Sequence, residues 1–100
     1  MSTKEEVRFG LGQTVATPGA LEALCRNNST GLEYLRRHAS GDWGIVCDDD
    51  KQANNHALHS GARLLSAYFL PDETKLWIIT EAQDEDGNRQ ATTLLLPEEY

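Results

Sequence analysis

Cross-links are scarce in this chain. Its 100 residues hold only two cysteines, Cys25 and Cys47, too few for the disulfide framework of a small secreted domain. It also lacks any apolar run near the roughly 20 residues that a membrane helix needs, so no membrane partner is expected. The opening MSTKEEVRFG has no apolar stretch of the signal-peptide kind. The expectation is a cytoplasmic protein with reduced thiols. Positive charge is short as well. The net charge is -7 at pH 7, and phosphate backbones repel such a surface, so direct nucleic-acid binding is not expected. No phosphate loop, dinucleotide fingerprint, serine elbow or zinc ribbon occurs. No catalytic residue is therefore assigned, and no cofactor is expected.

What is present argues for one folded unit. Apolar residues at 39% and charged residues at 25% lie near globular averages, which points to a single domain over 1–100 with a polar, flexible start at 1–6. The charge is split. Residues 1–47 balance to zero, and the whole negative excess falls in 48–100, where eleven acids face Lys51, Arg63, Lys75 and Arg89. A surface of that sign suits a basic protein partner or a cation.

The periodicity changes once along the chain. Val7 to Thr17 has no helical period and reads as an extended arm broken by Gly10 and Gly12. Thr17-Pro18 is a helix start, with a capping hydroxyl followed by proline in the first turn. Leu21, Leu24 and Cys25 then share a face, which makes Cys25 a core residue. A second short helix is expected after a cap at Ser29 or Thr30, with Leu32 and Leu35 inward and Arg36, Arg37 and His38 complementing its C-terminal dipole. A third runs from about Asp49 to Ser60, with a thin apolar face of Ala53, Ala57 and Leu58, and stops at Gly61.

After Gly61 the period becomes two. RLLSAYFL, KLWIITEA and ATTLLL read as three strands, joined by a Pro71 turn and by a hairpin at Asp86-Gly87. The predicted fold is α+β: two or three short N-terminal helices packed on a three-stranded antiparallel meander, to which the arm can add a fourth strand. Leu64, Leu76, Ile78 and Leu95 are assigned to one face of the meander. Leu65, Phe69, Trp77, Ile79, Leu94 and Leu96 are assigned to the other, so both faces carry large apolar groups and the second needs a cover.

Candidate sites compete with plainer readings. In SGDWG, Asp42 and Trp43 can project from a glycine-flanked loop toward a ligand; the preferred alternative is a turn whose tryptophan plugs the core. His56 and His59, three apart on the third helix, can share a metal with a carboxylate from Asp48 to Asp50, but no third ligand stands at a defined spacing. That run of aspartates suits helix capping better than calcium, because the alternating ligands and glycine of a calcium loop are missing. Cys47 precedes a helix start, yet the acids after it oppose a thiolate. Asp84, Glu85 and Asp86 form an acidic hairpin tip.

VATPGALEAL, RRHASGDWG, LLSAYFLPDETKLWIITEA and TTLLLPEEY, in that order over about residues 14–100, together resemble a family of short bacterial plasmid-related proteins of unknown function, sometimes labelled restriction-modification accessory. The resemblance implies a mobile-element, cytoplasmic setting and no known activity. Three functional expectations follow. The first is a non-enzymatic accessory protein whose acidic, sheet-side surface engages a basic protein through Asp42, Trp43, Trp77, Asp84, Glu85 and Asp86. The second is a homodimer that buries the second sheet face through Trp77 and Ile79. The third is a small metal-dependent enzyme built on His56 and His59.

Overall fold

A computed structural model describes residues 7–100; the flexible start expected at 1–6 lies outside the described residues. The elements run β1 (Gln13–Ala16), α1 (Pro18–Arg26), α2 (Leu32–Ala39), α3 (Asp48–Ser60), β2 (Leu64–Phe69), β3 (Lys75–Thr80), β4 (Ala91–Leu95) and a 3-10 turn (Pro97–Glu99). The class is α+β, with three helices and one four-stranded sheet among the described residues, in the order β1-β4-β3-β2. β2, β3 and β4 pair antiparallel, whereas β1 pairs parallel to β4, with Gln13 beside Ala91 and Ala16 beside Leu94. The sheet is thus mixed rather than a purely antiparallel meander. The arm does supply a fourth strand, and its parallel direction requires the long crossover through all three helices.

The N-terminal end of α1 is fastened twice. Thr17 accepts from the Ala20 N–H at 3.1 Å, as its capping position implies. The Thr17 hydroxyl also donates to Glu99, whose other oxygen accepts from the Gly19 N–H at 3.2 Å. A carboxylate from the C-terminal turn therefore sits at the positive end of α1. The helix is rotated from the expected orientation. Ala20, Ala23 and Leu24 are buried, while Leu21 and Cys25 are exposed. Two alanines let the backbone approach the sheet more closely than a leucine face would, which overturns the core assignment of Cys25.

α2 is likewise turned. It starts from Gly31 in the left-handed region (φ 86°), not from a capping Ser29 or Thr30. It buries Tyr34, His38 and Ala39 and leaves Leu32 exposed. His38 is therefore a core side chain and not a surface cation at the helix end. α3 begins one residue earlier than expected, with Asp48, Asp49 and Asp50 in its first turn, and ends at Gly61 (φ 85°). Its buried residues are Asn54 and Ala57; Ala53 points outward.

The register sorts the sheet faces. Ile78 stands opposite Leu94 and Trp77 opposite Leu95, and directly opposed residues share a face. Leu94 thus belongs with Leu64, Leu76 and Ile78, and Leu95 with Trp77, the reverse of the expected assignment. With three consecutive leucines at 94–96, a slip of one residue costs nothing in hydrophobicity, so the pattern alone cannot choose. The helices cover the first face: Ala20, Ala23, Leu24 and Tyr34 pack on Tyr68, Leu70, Leu76, Ile78 and Leu94. A second cluster joins Trp43 and Ala57 to Leu64, with Phe9, Val46 and Leu58 at its margin.

The outer edge of β2 is closed without a full strand. The Ala67 N–H donates to the Trp43 carbonyl at 3.2 Å, and its carbonyl accepts from the Ile45 N–H at 2.8 Å. One step along, the Asn54 side chain accepts from the Leu65 N–H at 3.1 Å and donates to the Leu65 carbonyl at 2.7 Å. A short loop and one amide side chain take the place of a neighbouring strand and blunt an edge that would otherwise invite pairing. The contact is close: a β-carbon on Gly44 (φ 75°) would lie 1.9 Å from the Ala67 carbonyl oxygen. Gly44→Ala combines a left-handed alanine with overpacking. It is expected to lower the unfolding free energy by about 3 kcal/mol in urea denaturation; an unchanged midpoint would refute this account of the edge.

Candidate functional site

A line of hydrogen bonds runs through the core face of the sheet. His38 on α2 is fully buried between Ser66 of β2 and Thr80 of β3, with Nδ1 facing the Ser66 hydroxyl and Nε2 at 2.8 Å from the Thr80 hydroxyl. Thr80 meets Thr92 of β4 at 2.7 Å, and Thr92 donates to the Leu11 carbonyl at 2.7 Å. The last acceptor orients the whole line. A carbonyl can only accept, so the single Thr92 proton points at Leu11. Thr92 must then accept from Thr80, and Thr80 from His38. His38 therefore carries its proton on Nε2 and accepts the Ser66 proton at Nδ1. Phe9 and Trp43 pack edge-on against the ring at 5.2 and 5.7 Å.

Burial, reinforced by the positive charge of Arg89, pulls the His38 pKa from 6.5 down to about 3. The histidine is neutral in the fold at every ordinary pH and binds a proton only when the chain unfolds. Stability is thus unaffected above the unfolded pKa and falls as the pH drops below 6.5 toward 3.

Arg89 is a second buried basic group, only 7% exposed. Its Nη1 donates to the Ala62 and Glu81 carbonyls at 2.7 and 3.0 Å, and Nη2 to the Ala57 carbonyl at 3.1 Å. The cation thereby caps the negative end of α3. Its guanidinium also lies 5.7 Å from the Phe9 ring centre. Among the described residues the ion pairs are Arg26–Asp72 and Arg37–Asp42, so Arg89 is held by carbonyl dipoles and not by a carboxylate.

Beside these groups a cleft of about 540 Å³ opens between the arm and the β3–β4 hairpin, with Arg8, Phe9 and Gly12 on one wall, Gln83 and Arg89 on the other, and Leu58 of α3 alongside.

The residues singled out from sequence are dispersed. Trp43 is 4% exposed and donates from its indole to Asn55 at 3.0 Å, which places it in the core. Asp42 is exposed and paired with Arg37 at 2.7 Å, a hydrogen bond that holds its carboxyl below the usual range. Asp84 is turned into its own loop, accepting from the Asn88 and Asp86 N–H groups at 2.9 Å, and the Asn88 bond comes first in lowering its pKa. Glu85 and Asp86 remain exposed at the tip.

Trp77 is half-buried on the sheet face opposite the helices, with Tyr100 edge-on at 5.7 Å. His56 and His59 are exposed on α3, and among the described residues no three His, Cys, Asp or Glu side chains gather as a metal site. Cys47 is exposed. Sequence reasoning missed Asn54, Asn55, His38 and Arg89. For Asn54 and Asn55 there was one indirect signal: α3 has too few apolar residues to be held by apolar contacts alone.

No family model, curated protein or solved structure matches the chain. Among the described residues no helix is long and apolar enough to cross a membrane.

His38→Gln is expected to lose about 1–3 kcal/mol near neutral pH through an unmatched buried hydrogen bond. It also removes the proton that the unfolded wild type takes up, so the gap to wild type narrows by about 2 kcal/mol between pH 6.5 and pH 5. Urea unfolding at the two pH values measures this, and parallel losses in both proteins would contradict a neutral buried His38.

Proposed function

We infer that this chain is a non-enzymatic interaction module that docks a basic protein through the sheet face its helices leave uncovered. The observation that carries the reading is the composition of that face. Leu65, Phe69, Trp77, Ile79 and Leu95 stand on it, with Val15 of β1 in register beside Thr93. The buried side chains of the helices cluster on the opposite side. Phe69 is 55% and Val15 41% exposed. Lys75 and Thr93 share the face with these groups, opposite Phe69 and Ile79; its aromatic and aliphatic side chains are what a protein contact uses, since aromatic groups concentrate binding energy.

Charge selects the partner. Each copy carries -7, so pairing with a second copy brings like fields together, whereas a basic surface is drawn in. Glu85 and Asp86 at the hairpin tip add to that attraction. The bacterial mobile-element setting rests on the family resemblance alone and belongs to the same proposal.

A photo-crosslinking residue at position 79 tests the reading, with one at position 56 on α3 as control. The expected result in native-host extract is an adduct with one basic protein from position 79 and none from position 56. The adduct should be lost when Trp77→Arg is added and weakened when salt rises from about 0.1 to 0.5 M. A self-adduct from position 79 with dimeric sedimentation would replace the heterologous partner by a second copy. No adduct at all would reject the face as an interface.

A further inference from the structure

We propose that the cleft between the arm and the β3–β4 hairpin binds a small organic oxyanion, a phosphate or carboxylate carried on a flat apolar body. The chain has 16 acids against 9 Lys and Arg, yet the described lining of this cleft holds two arginines, Arg8 and Arg89, and no Asp or Glu. Its remaining polar side chains are the neutral amides of Gln83, Asn88 and Gln90.

Arg89 carries the argument. It is buried, and three of its five N–H groups are spent on the Ala57, Ala62 and Glu81 carbonyls. Carbonyl dipoles satisfy those protons without cancelling the charge. A buried cation without a counter-ion is costly, and an anion bound beside it recovers part of that cost. The two N–H groups left over suit the forked geometry of an oxyanion.

The neighbourhood is prepared in the same sense. Asp84, the hairpin carboxylate that could have answered Arg89, is instead engaged by the Asn88 and Asp86 N–H groups and by the Gln90 side chain. Glycines at 10 and 12 bring bare backbone to the rim, where N–H groups can approach a ligand, while the Gly87 N–H is given to the Asp84 carbonyl at 3.0 Å and closes the hairpin loop. The apolar part of the lining is Phe9 and Leu58, which gives a flat organic body a surface that an inorganic ion would not use. The volume, about 540 Å³, is that of a small-molecule site. The negative field of the whole molecule works against diffuse anion binding, so an anion that binds is recognised locally.

The test is an amide-resolved NMR titration of the full chain at neutral pH with phenyl phosphate, benzoate, inorganic phosphate and acetate. Phenyl phosphate or benzoate is expected to shift the amides of Gly10, Gly12, Gly87 and Arg89 saturably at about 1 mM or below. Whichever of the two binds more tightly identifies the headgroup. The matching small ion, inorganic phosphate or acetate, should bind at least tenfold more weakly. Arg8→Gln should weaken binding at least threefold. Gln83→Glu, which places a carboxylate in the cleft, should weaken it tenfold or more. Both positions are exposed, so these variants remain folded where Arg89→Met need not. Shifts absent up to about 10 mM overturn the site. Unchanged binding in both variants, or shifts confined to surface arginines such as Arg36 and Arg63, overturns it equally.

Discussion

The structure depends on keeping an uncharged histidine inside a sheet of hydroxyls. His38 reaches from α2 to Ser66 and Thr80, and the line continues through Thr92 to the Leu11 carbonyl. Five segments are tied by it: the arm, α2 and three strands. Each hydroxyl has one proton to give, so the line has one direction, and its direction is set by a backbone carbonyl that can only accept. If the arm left, Thr92 would lose its acceptor and the order of donors would lose its anchor. The arm is also held by Arg8 donating its backbone N–H to the Ala39 carbonyl at 2.8 Å and Gln13 to the Gln90 carbonyl at 2.9 Å. Between those points Phe9 lies against His38, Trp43 and Arg89. The histidine stays neutral because its ring is out of water and a guanidinium stands near it. Among the described residues no fully buried side-chain nitrogen or oxygen lacks a hydrogen-bond partner.

That economy explains which surfaces the core leaves open. One face of the sheet is consumed by three helices and the polar line. On the other, among the described residues, Tyr100 of the C-terminal end leans on Trp77, Arg63 lies over Tyr100 and Lys75 over Phe69. The arm and hairpin, which close the end of the core, leave a cleft whose floor includes the one buried arginine. An apolar sheet face and a basic cleft on an acidic molecule are different kinds of surface. The first suits a broad protein contact, and the second a small charged molecule. They draw on separate residues, so either can fail without the other.

Much of the fold was legible because it is local. Alternation after Gly61 marks β2, β3 and β4, Thr17-Pro18 marks the start of α1, and Asp86-Gly87 marks the hairpin, each through the near-neighbour chemistry of a strand, cap or turn. The rest depends on partners far away in the chain. β1 pairs with β4 across some eighty residues, and no local period announces a parallel edge. Leu94 and Leu95 exchange faces because a row of leucines reads the same in either register. Asn54 and Asn55 look like solvent-facing polar residues until the Leu65 backbone and the Trp43 indole are placed beside them. Of the candidate site, Trp77 on its open face and the acidic tip could be anticipated. The cleft could not, since its walls come from the arm, α3 and the hairpin, and Arg89 counts in the sequence merely as one of four late cations.

The orientation of the buried line is the claim on which the account turns, and nitrogen-15 NMR of the His38 ring reads it directly. The account predicts a single neutral tautomer protonated at Nε2, unchanged between about pH 7 and pH 5, with the Thr80 and Thr92 hydroxyl protons exchanging slowly enough to be seen. A ring protonated at Nδ1, or one that takes up a second proton in that range while the chain remains folded, would contradict it.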